Sequence, residues 1–246
     1  MDDDEYRRMV EAGERHWWYQ ATRSLLEMLV TPHLAPVMST TVFLDAAGGS
    51  GATGSWLADR GTTILDDYEP VALSAAVHDH DAYRAVRADI NHLPHAAGTF
   101  DAVLCVTALY HRLNPNPQAV VDEFARVLRP GGLVCLMEPG GKKLWRGHDE
   151  VTQAARRFSL AEMKEMVRAA GLDLVRATGA YSFLVPPAAV MGIVERRSNK
   201  SDVGRNESGL GGVLGKVARL ERVLLRRVNL PFGLSVIAIG RKPPRA

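Results

Sequence analysis

The residues best suited to chemistry lie in one stretch, Val42-Phe43-Leu44-Asp45-Ala46-Ala47-Gly48-Gly49-Ser50-Gly51-Ala52-Thr53-Gly54. A short apolar run ends in an acid, crosses a glycine-rich turn and continues into a helical pattern, Ser55-Trp56-Leu57-Ala58-Asp59-Arg60. Glycines let a backbone come close to a ligand and adopt positive φ without a Cβ penalty. The exposed N–H groups of a helix start then favour the polar or anionic part of that ligand. The pattern places a nucleotide-like ligand over the end of the first strand of an α/β sheet.

Two ligands compete for this turn. Gly49-x-Gly51-x-x-Gly54 matches the dinucleotide fingerprint, a weak signal by itself. The other reading is the turn that holds S-adenosylmethionine (SAM), in which an acid closes the strand before the glycines. A carboxylate at Asp45 would repel a pyrophosphate but attract the ammonium and sulfonium of SAM, so charge favours the second reading.

The elements that must position this turn follow from the patterning of the chain. Strands are expected over 41–45, 62–65, 83–89, 102–106, 133–137, 172–175 and 234–239. Helices are expected from the glycine turn to about residue 60, over 72–77 with Pro70 at its start, and over 118–128. Ser159 and Glu162 form a capping-box signature for a further helix ending at Gly171. Alternation at this spacing means a mostly parallel sheet with helices on both faces.

Composition is compatible with one α/β domain and excludes little else. The 246 residues are 46% hydrophobic and 24% charged, with a net charge of +2, so nothing demands a nucleic acid or acidic partner. Cys105 and Cys135, the two cysteines, lie in apolar strand-like runs and read as buried reduced thiols. The eight histidines form no metal-ligand spacing with cysteines or acids, and no metal is expected. An acidic start and the absence of a long apolar run make a cytoplasmic enzyme the expectation.

The ordered motifs together resemble a class I SAM-dependent methyltransferase over about residues 41–175 and the last strand. Asp45-Ala46-Ala47-Gly48-Gly49-Ser50-Gly51 resembles the family's acid-x-Gly-x-Gly-x-Gly, with alanine at position 47 where glycine is usual. Asp67-Tyr68-Glu69-Pro70 resembles its second-strand acid, and Asp89-Ile90 with Leu93-Pro94 its third-strand acid. Phe100-Asp101-Ala102-Val103 resembles the start of its fourth strand, and Leu128-Arg129-Pro130-Gly131-Gly132 the turn before its fifth. The resemblance implies an α/β fold with a doubly wound, seven-stranded, mostly parallel sheet whose last strand is antiparallel. It also implies SAM as cofactor, with S-adenosylhomocysteine as product.

Site roles follow as expectations. Asp67, followed by Tyr68, is placed for the ribose diol, Asp89 for the adenine amino group, and the Ile90 amide for a ring nitrogen. Carbonyls around Ala47, Val106 and Thr107 would meet the methionine ammonium, with Asp45 supporting the turn formed by Gly48, Gly49 and Gly51. His111 is the expected general base, with Tyr110 orienting it or the substrate, and Glu138 is a second base candidate. Adjacent aromatics at Trp17, Trp18 and Tyr19 cannot all face one core. One reading is a lid in which an aromatic such as Trp18 or Tyr19 covers the ligand and Arg23 reaches its carboxylate; the other is a helix packed on the sheet edge.

Four segments are expected: a helical lid over 1–40, a SAM-binding core over 41–178, a helical cap over 179–233 and a last strand with tail over 234–246. The cap would contain an apolar helix over 187–196, a mobile loop over 197–212 and a helix over 213–228. That last helix carries an apolar stripe of Leu214, Val217, Leu220 and Leu224 and a basic face of Lys216, Arg219, Arg222 and Arg226. The expected function is methylation of an oxygen or nitrogen of a partly hydrophobic small molecule. Alternatives are a methyltransferase acting on a peptide or protein end, and a non-catalytic SAM-binding regulator or partner subunit. No nucleic acid partner is expected, whereas the 213–228 helix could meet a membrane or a second copy.

Overall fold

In the computed structural model, residues 16–80, 83–145, 147–194 and 210–244 are described. Seven strands form one sheet in the order β3-β2-β1-β4-β5-β7-β6. They are β1 (Val42–Ala46), β2 (Thr62–Asp67), β3 (Tyr83–Arg87), β4 (Phe100–Val106), β5 (Leu128–Pro139), β6 (Asp173–Ala180) and β7 (Ser235–Arg241). β1 pairs in parallel with β2 and β4, and β7 runs antiparallel to both β5 and β6. The expected doubly wound sheet with an antiparallel last strand is therefore present. Each predicted strand falls within a few residues of an observed one. Cys105 and Cys135 are buried free thiols on neighbouring strands.

The chain order reverses between β1 and β4, so a crevice opens at the carboxyl ends of these two strands, where ligands bind in open α/β sheets. Asp45, Asp66 and Asp67 stand beside that crevice at the ends of β1 and β2. A register of Asp45 to Leu65 and Ala46 to Asp66 brings the two strand ends level.

Helices cover both faces. Helix α1 (Trp17–Val30) and a single turn, α2 (Ser55–Ala58), pack on one face through Leu25, Leu26, Leu29, Trp56 and Leu57. The helix expected to run to about residue 60 thus has only one turn, because Gly61 already begins the path into β2. An N-terminus that short contributes little macrodipole, and the polar groups of the glycine turn act as individual amides. Helix α3 (Pro70–Asp79) starts at the expected proline and packs against β2 and β3. On the opposite face lie α4 (Pro117–Val127) and, after the short α5 (Gly147–Val151), α6 (Leu160–Ala169). Helix α6 has the expected capping box: the Ser159 hydroxyl accepts the Glu162 amide, and Glu162 accepts the Ser159 amide at 2.9 Å.

Helix α1 descends along the sheet from its carboxyl to its amino ends. At its start, Trp17 meets Tyr181 edge-on at 5.9 Å and the Thr22 hydroxyl bonds that of Tyr181 at 2.7 Å, just beyond β6. Past its end, His33 O accepts from Arg241 at the far end of β7. The aromatic start of α1 is therefore at the crevice level, and its Leu25, Leu26 and Leu29 turns fill the core.

Between β6 and β7 lie α7 (Val185–Val194) and α8 (Leu210–Leu225). Helix α7 contacts residues 142–144, just after β5, and so lies at the carboxyl ends. Helix α8 does not lie over those ends; it packs beside α1 against the sheet face, with Ala218 and Leu225 in the core. Of the apolar stripe, Leu220 is 71% and Leu224 48% exposed, and Leu214 and Val217 are half-buried. Leu225 is fully buried and Ala218 nearly so, whereas a Cβ on Gly215 would meet nothing within 4 Å. Most of the loop expected to be mobile, 197–212, and the start of the expected lid lie outside the described residues.

Candidate active site

The glycine turn is shaped from beneath. Asp45 is 1% exposed, and its carboxylate is so close to the turn that a Cβ on Gly54 would stand 2.1 Å from Oδ2 and one on Gly48 2.9 Å. Tyr83, at the start of β3, inserts alongside. Its hydroxyl lies 3.2 Å from Asp45 Oδ2 and 3.0 Å from Gly51 O, and a Cβ on Gly51 would fall 2.4 Å from its ring. Gly49 and Gly51 also have positive φ, 59° and 79°. Glycines are required here by the packing under the turn as well as by any ligand above it. Tyr83 was missed in the sequence because a tyrosine in a strand reads as ordinary core.

Ala47 takes φ 52°, so the position where glycine is usual does require the left-handed region. An alanine there costs about 1–2 kcal/mol. Thr107, at the end of the neighbouring β4, also has φ 52°. A β-branched residue in that region is a genuine outlier, and strain of this kind clusters at ligand sites. The two positions flank the crevice.

Asp67 joins the second strand to the turn. Its Oδ2 accepts the Gly49 amide at 2.9 Å and its Oδ1 the Glu69 amide at 2.9 Å. Tyr68 is exposed, with the Arg87 guanidinium 5.4 Å from its ring centroid. Asp89 is exposed and binds the Asn91 amide and side chain through Oδ1, which leaves Oδ2 for an incoming donor. Ile90 is buried beside it. Asn91 bonds Asn114 at 2.9 Å, and Asn114 bonds Ala108 O at 2.7 Å, so two asparagines unnoticed in the sequence tie the Asp89 turn to the loop after β4.

The charge of the crevice decides between the two candidate ligands. Burial pushes the Asp45 carboxyl up to about 7, and the charges of Asp67 and Asp66 add to that rise. His95 pairs with Asp66 at 2.7 Å, and Asp45, Asp66 and Asp67 set three carboxyl groups at the ends of β1 and β2. A surplus of carboxylates suits a ligand carrying ammonium and sulfonium groups and opposes a pyrophosphate. Asp67, tied to the glycine turn through the Gly49 amide, stands at the same strand ends. Among the described residues, no three His, Cys, Asp or Glu side chains are grouped to hold a metal ion.

The loop after β4 is held by Glu138, which is 0% exposed. Its Oε1 accepts the Ala108 and Leu109 amides at 3.1 and 2.9 Å, and its Oε2 accepts the Tyr110 amide at 3.1 Å. Burial raises its carboxyl to about 8 against these three donors. The geometry makes Glu138 a brace for the loop, with both oxygens engaged. His111 is half-buried, and its Nδ1 accepts the Leu113 amide at 3.2 Å. Burial lowers its pKa, so the ring is neutral near pH 7, and with Nδ1 accepting, its proton sits on Nε2. Toward a ligand that nitrogen is a donor.

Tyr110 is bonded to Thr152, and its phenol is pushed up to about 12 chiefly by burial; Tyr19 is close enough to contribute. Tyr19 is likewise raised to about 12 by burial. Trp18 meets Tyr19 edge-on at 5.0 Å. Arg23 reaches the Ser55 hydroxyl at 3.2 Å, directly after the glycine turn. The start of α1 thus reaches the residue that follows the glycine turn through Arg23. Val106 is buried at the end of β4.

Residues 44–136 match the methyltransferase domain family. The chain is 26% identical over 227 residues to the methyltransferase GfsG of Streptomyces halstedii, covering 79% of this chain and 76% of that protein. A geranyl diphosphate C-methyltransferase from Streptomyces coelicolor, solved with S-adenosylhomocysteine, superposes with a TM-score of 0.59 at 13% identity, covering 89% of this chain and 76% of that one. The YcgJ protein of Bacillus subtilis superposes with a TM-score of 0.60 at 18% identity, covering 91% and 99%. At such identities the two structures speak for the fold.

Proposed function

We propose that this chain, whose residues 44–136 match the methyltransferase domain family, is a class I SAM-dependent methyltransferase that methylates an oxygen or nitrogen of a small molecule with a substantial apolar body. The observation that carries the reading is the edge-on pair of Trp18 and Tyr19, 5.0 Å between ring centroids, at the crevice-level start of α1; Tyr110, in the loop after β4, is a second phenol raised by burial. Two neutral phenols and the nearby Trp18 offer apolar area with few hydrogen-bonding groups.

When bound, SAM supplies a methyl group already activated on sulfur. The chain's part is to hold, align and exclude water. Asp67 would accept from the ribose and Asp89 from the adenine amino group, with the Ile90 amide on a ring nitrogen. Carbonyls at Ala47, Val106 and Thr107 would receive the ammonium, and Arg23 would approach the methionine carboxylate. The aromatic start of α1 and helix α7 would form the acceptor walls.

No candidate base presents a free acceptor atom. Glu138 is buried, holds amides on both oxygens and keeps its proton to about pH 8, His111 presents a donor, and Tyr19 and Tyr110 stay protonated near neutral pH. The acceptor atom must therefore bring its own available lone pair, which favours an amine, an acidic phenol or a carboxylate over an aliphatic alcohol. The test is to incubate the protein with methyl-deuterated SAM and amphiphilic amines, phenols, carboxylates and alcohols, then read mass shifts. Labelled amine, phenol or carboxylate products support the reading; labelling confined to aliphatic alcohols or to peptides overturns it.

A further inference from the structure

The geometry points to α8 as a docking face for an anionic phospholipid surface, independent of which acceptor the crevice takes. Val213, Val217, Leu220 and Leu224 recur at helical spacing along one side, spanning about 16 Å at 1.5 Å per residue. Val213, Leu220 and Leu224 are 56%, 71% and 48% exposed. This stripe points away from Ala218 and Leu225, which are buried against the sheet. An apolar row kept in water on a folded helix marks an interaction surface.

The charge beside the stripe identifies what it meets. Lys216, Arg219 and Arg227 flank it on one side. Glu221, the only acid of the helix, is turned inward, where its oxygens accept the Tyr181 and Ser182 amides at 2.7 and 2.8 Å. Next to this flank a groove of about 620 Å³ runs between α1 and α8, with Arg23, Lys216, Arg219 and Arg222 among its lining and no carboxylate among the described residues. Glycines at 211, 212 and 215 also line it, which opens the helix backbone to an incoming group. An apolar stripe beside a cationic groove complements acyl chains beside phosphate headgroups. A second copy fits less well, because facing helices would set Lys216, Arg219 and Arg227 against the same cations with no acid to pair them.

The experiment is flotation of the full chain with vesicles of phosphatidylcholine alone and with an equal mixture of phosphatidylcholine and phosphatidylglycerol. Binding to the mixed vesicles is expected to exceed binding to the neutral ones by about tenfold or more and to weaken with salt. Leu220→Glu with Leu224→Glu should abolish it while the melting temperature and S-adenosylhomocysteine affinity stay unchanged. Arg219→Gln with Arg227→Gln, a milder pair, should weaken it about tenfold. Equal binding to both vesicles, no binding, or binding untouched by either pair overturns the proposal. So does a concentration-dependent dimer that disappears in the glutamate pair, which would make the stripe a contact between copies. Binding to inorganic phosphate with no vesicle flotation would reduce the groove to a free-anion site and also overturn it.

Discussion

Asp67, the acid that closes β2, accepts the backbone N–H of Gly49 at 2.9 Å, so the acid and the glycine turn form one rigid unit. Asp67→Ala should weaken S-adenosylhomocysteine binding by about 1–3 kcal/mol, the range for losing a hydrogen bond to a charged group. Asp67→Asn should lose a similar amount, since an amide oriented for one neighbour turns its donor toward the other. Unchanged affinity in both variants would remove Asp67 from the site.

Substitutions in the turn should act in opposite directions. Ala47→Gly relieves a left-handed alanine worth about 1–2 kcal/mol, partly offset by the greater freedom of the unfolded chain. Stability to denaturant should therefore rise slightly, by about 0.5–1 kcal/mol. Gly54→Ala places a Cβ 2.1 Å from Asp45 Oδ2 and should cost about 1–3 kcal/mol or more, the range for overpacking. A destabilised Ala47→Gly or a neutral Gly54→Ala would contradict this picture of the turn.

How far the sequence carried this site differs from residue to residue. The acids at 45, 67 and 89 and the glycines between them were legible because each stands at a strand end, where periodicity breaks. Glu138 was legible as a strand-end acid, but its grip on three amides depends on how the loop after β4 folds back, which no spacing reveals. The same limit hid Tyr83, whose part depends on β3 lying next to β2. On α8, periodicity found the apolar stripe but not its direction. The buried positions are Ala218 and Leu225, off that stripe, whereas hydrophobic patterning ranks rows of large side chains first.

Asp45 gives a pH signature. Its carboxyl is raised from 3.8 to about 7 by burial, so the folded state holds a proton that the unfolded state has released. Its contribution is fully present below about pH 4 and is lost as pH rises through about 7. Asp45→Asn removes this dependence, so the variant should gain relative to the wild type as pH rises between those limits. Denaturant titrations at several pH values measure the difference; a gap that stays constant or moves the other way would show Asp45 to be ionised throughout.

His111→Ala should leave kcat within about tenfold of the wild type, because its Nδ1 is occupied by the Leu113 amide. A general base would lose about 10²–10⁴-fold. A drop of that size, with cofactor affinity unchanged, would restore His111 as the proton acceptor.

The most direct measurement is calorimetric titration of the protein with S-adenosylhomocysteine and, separately, with NAD. A crevice rich in carboxylates and built around Asp45 and Asp67 should bind the adenosyl compound at one site and give no heat with NAD. Heat with NAD and none with S-adenosylhomocysteine would contradict the assignment of this site.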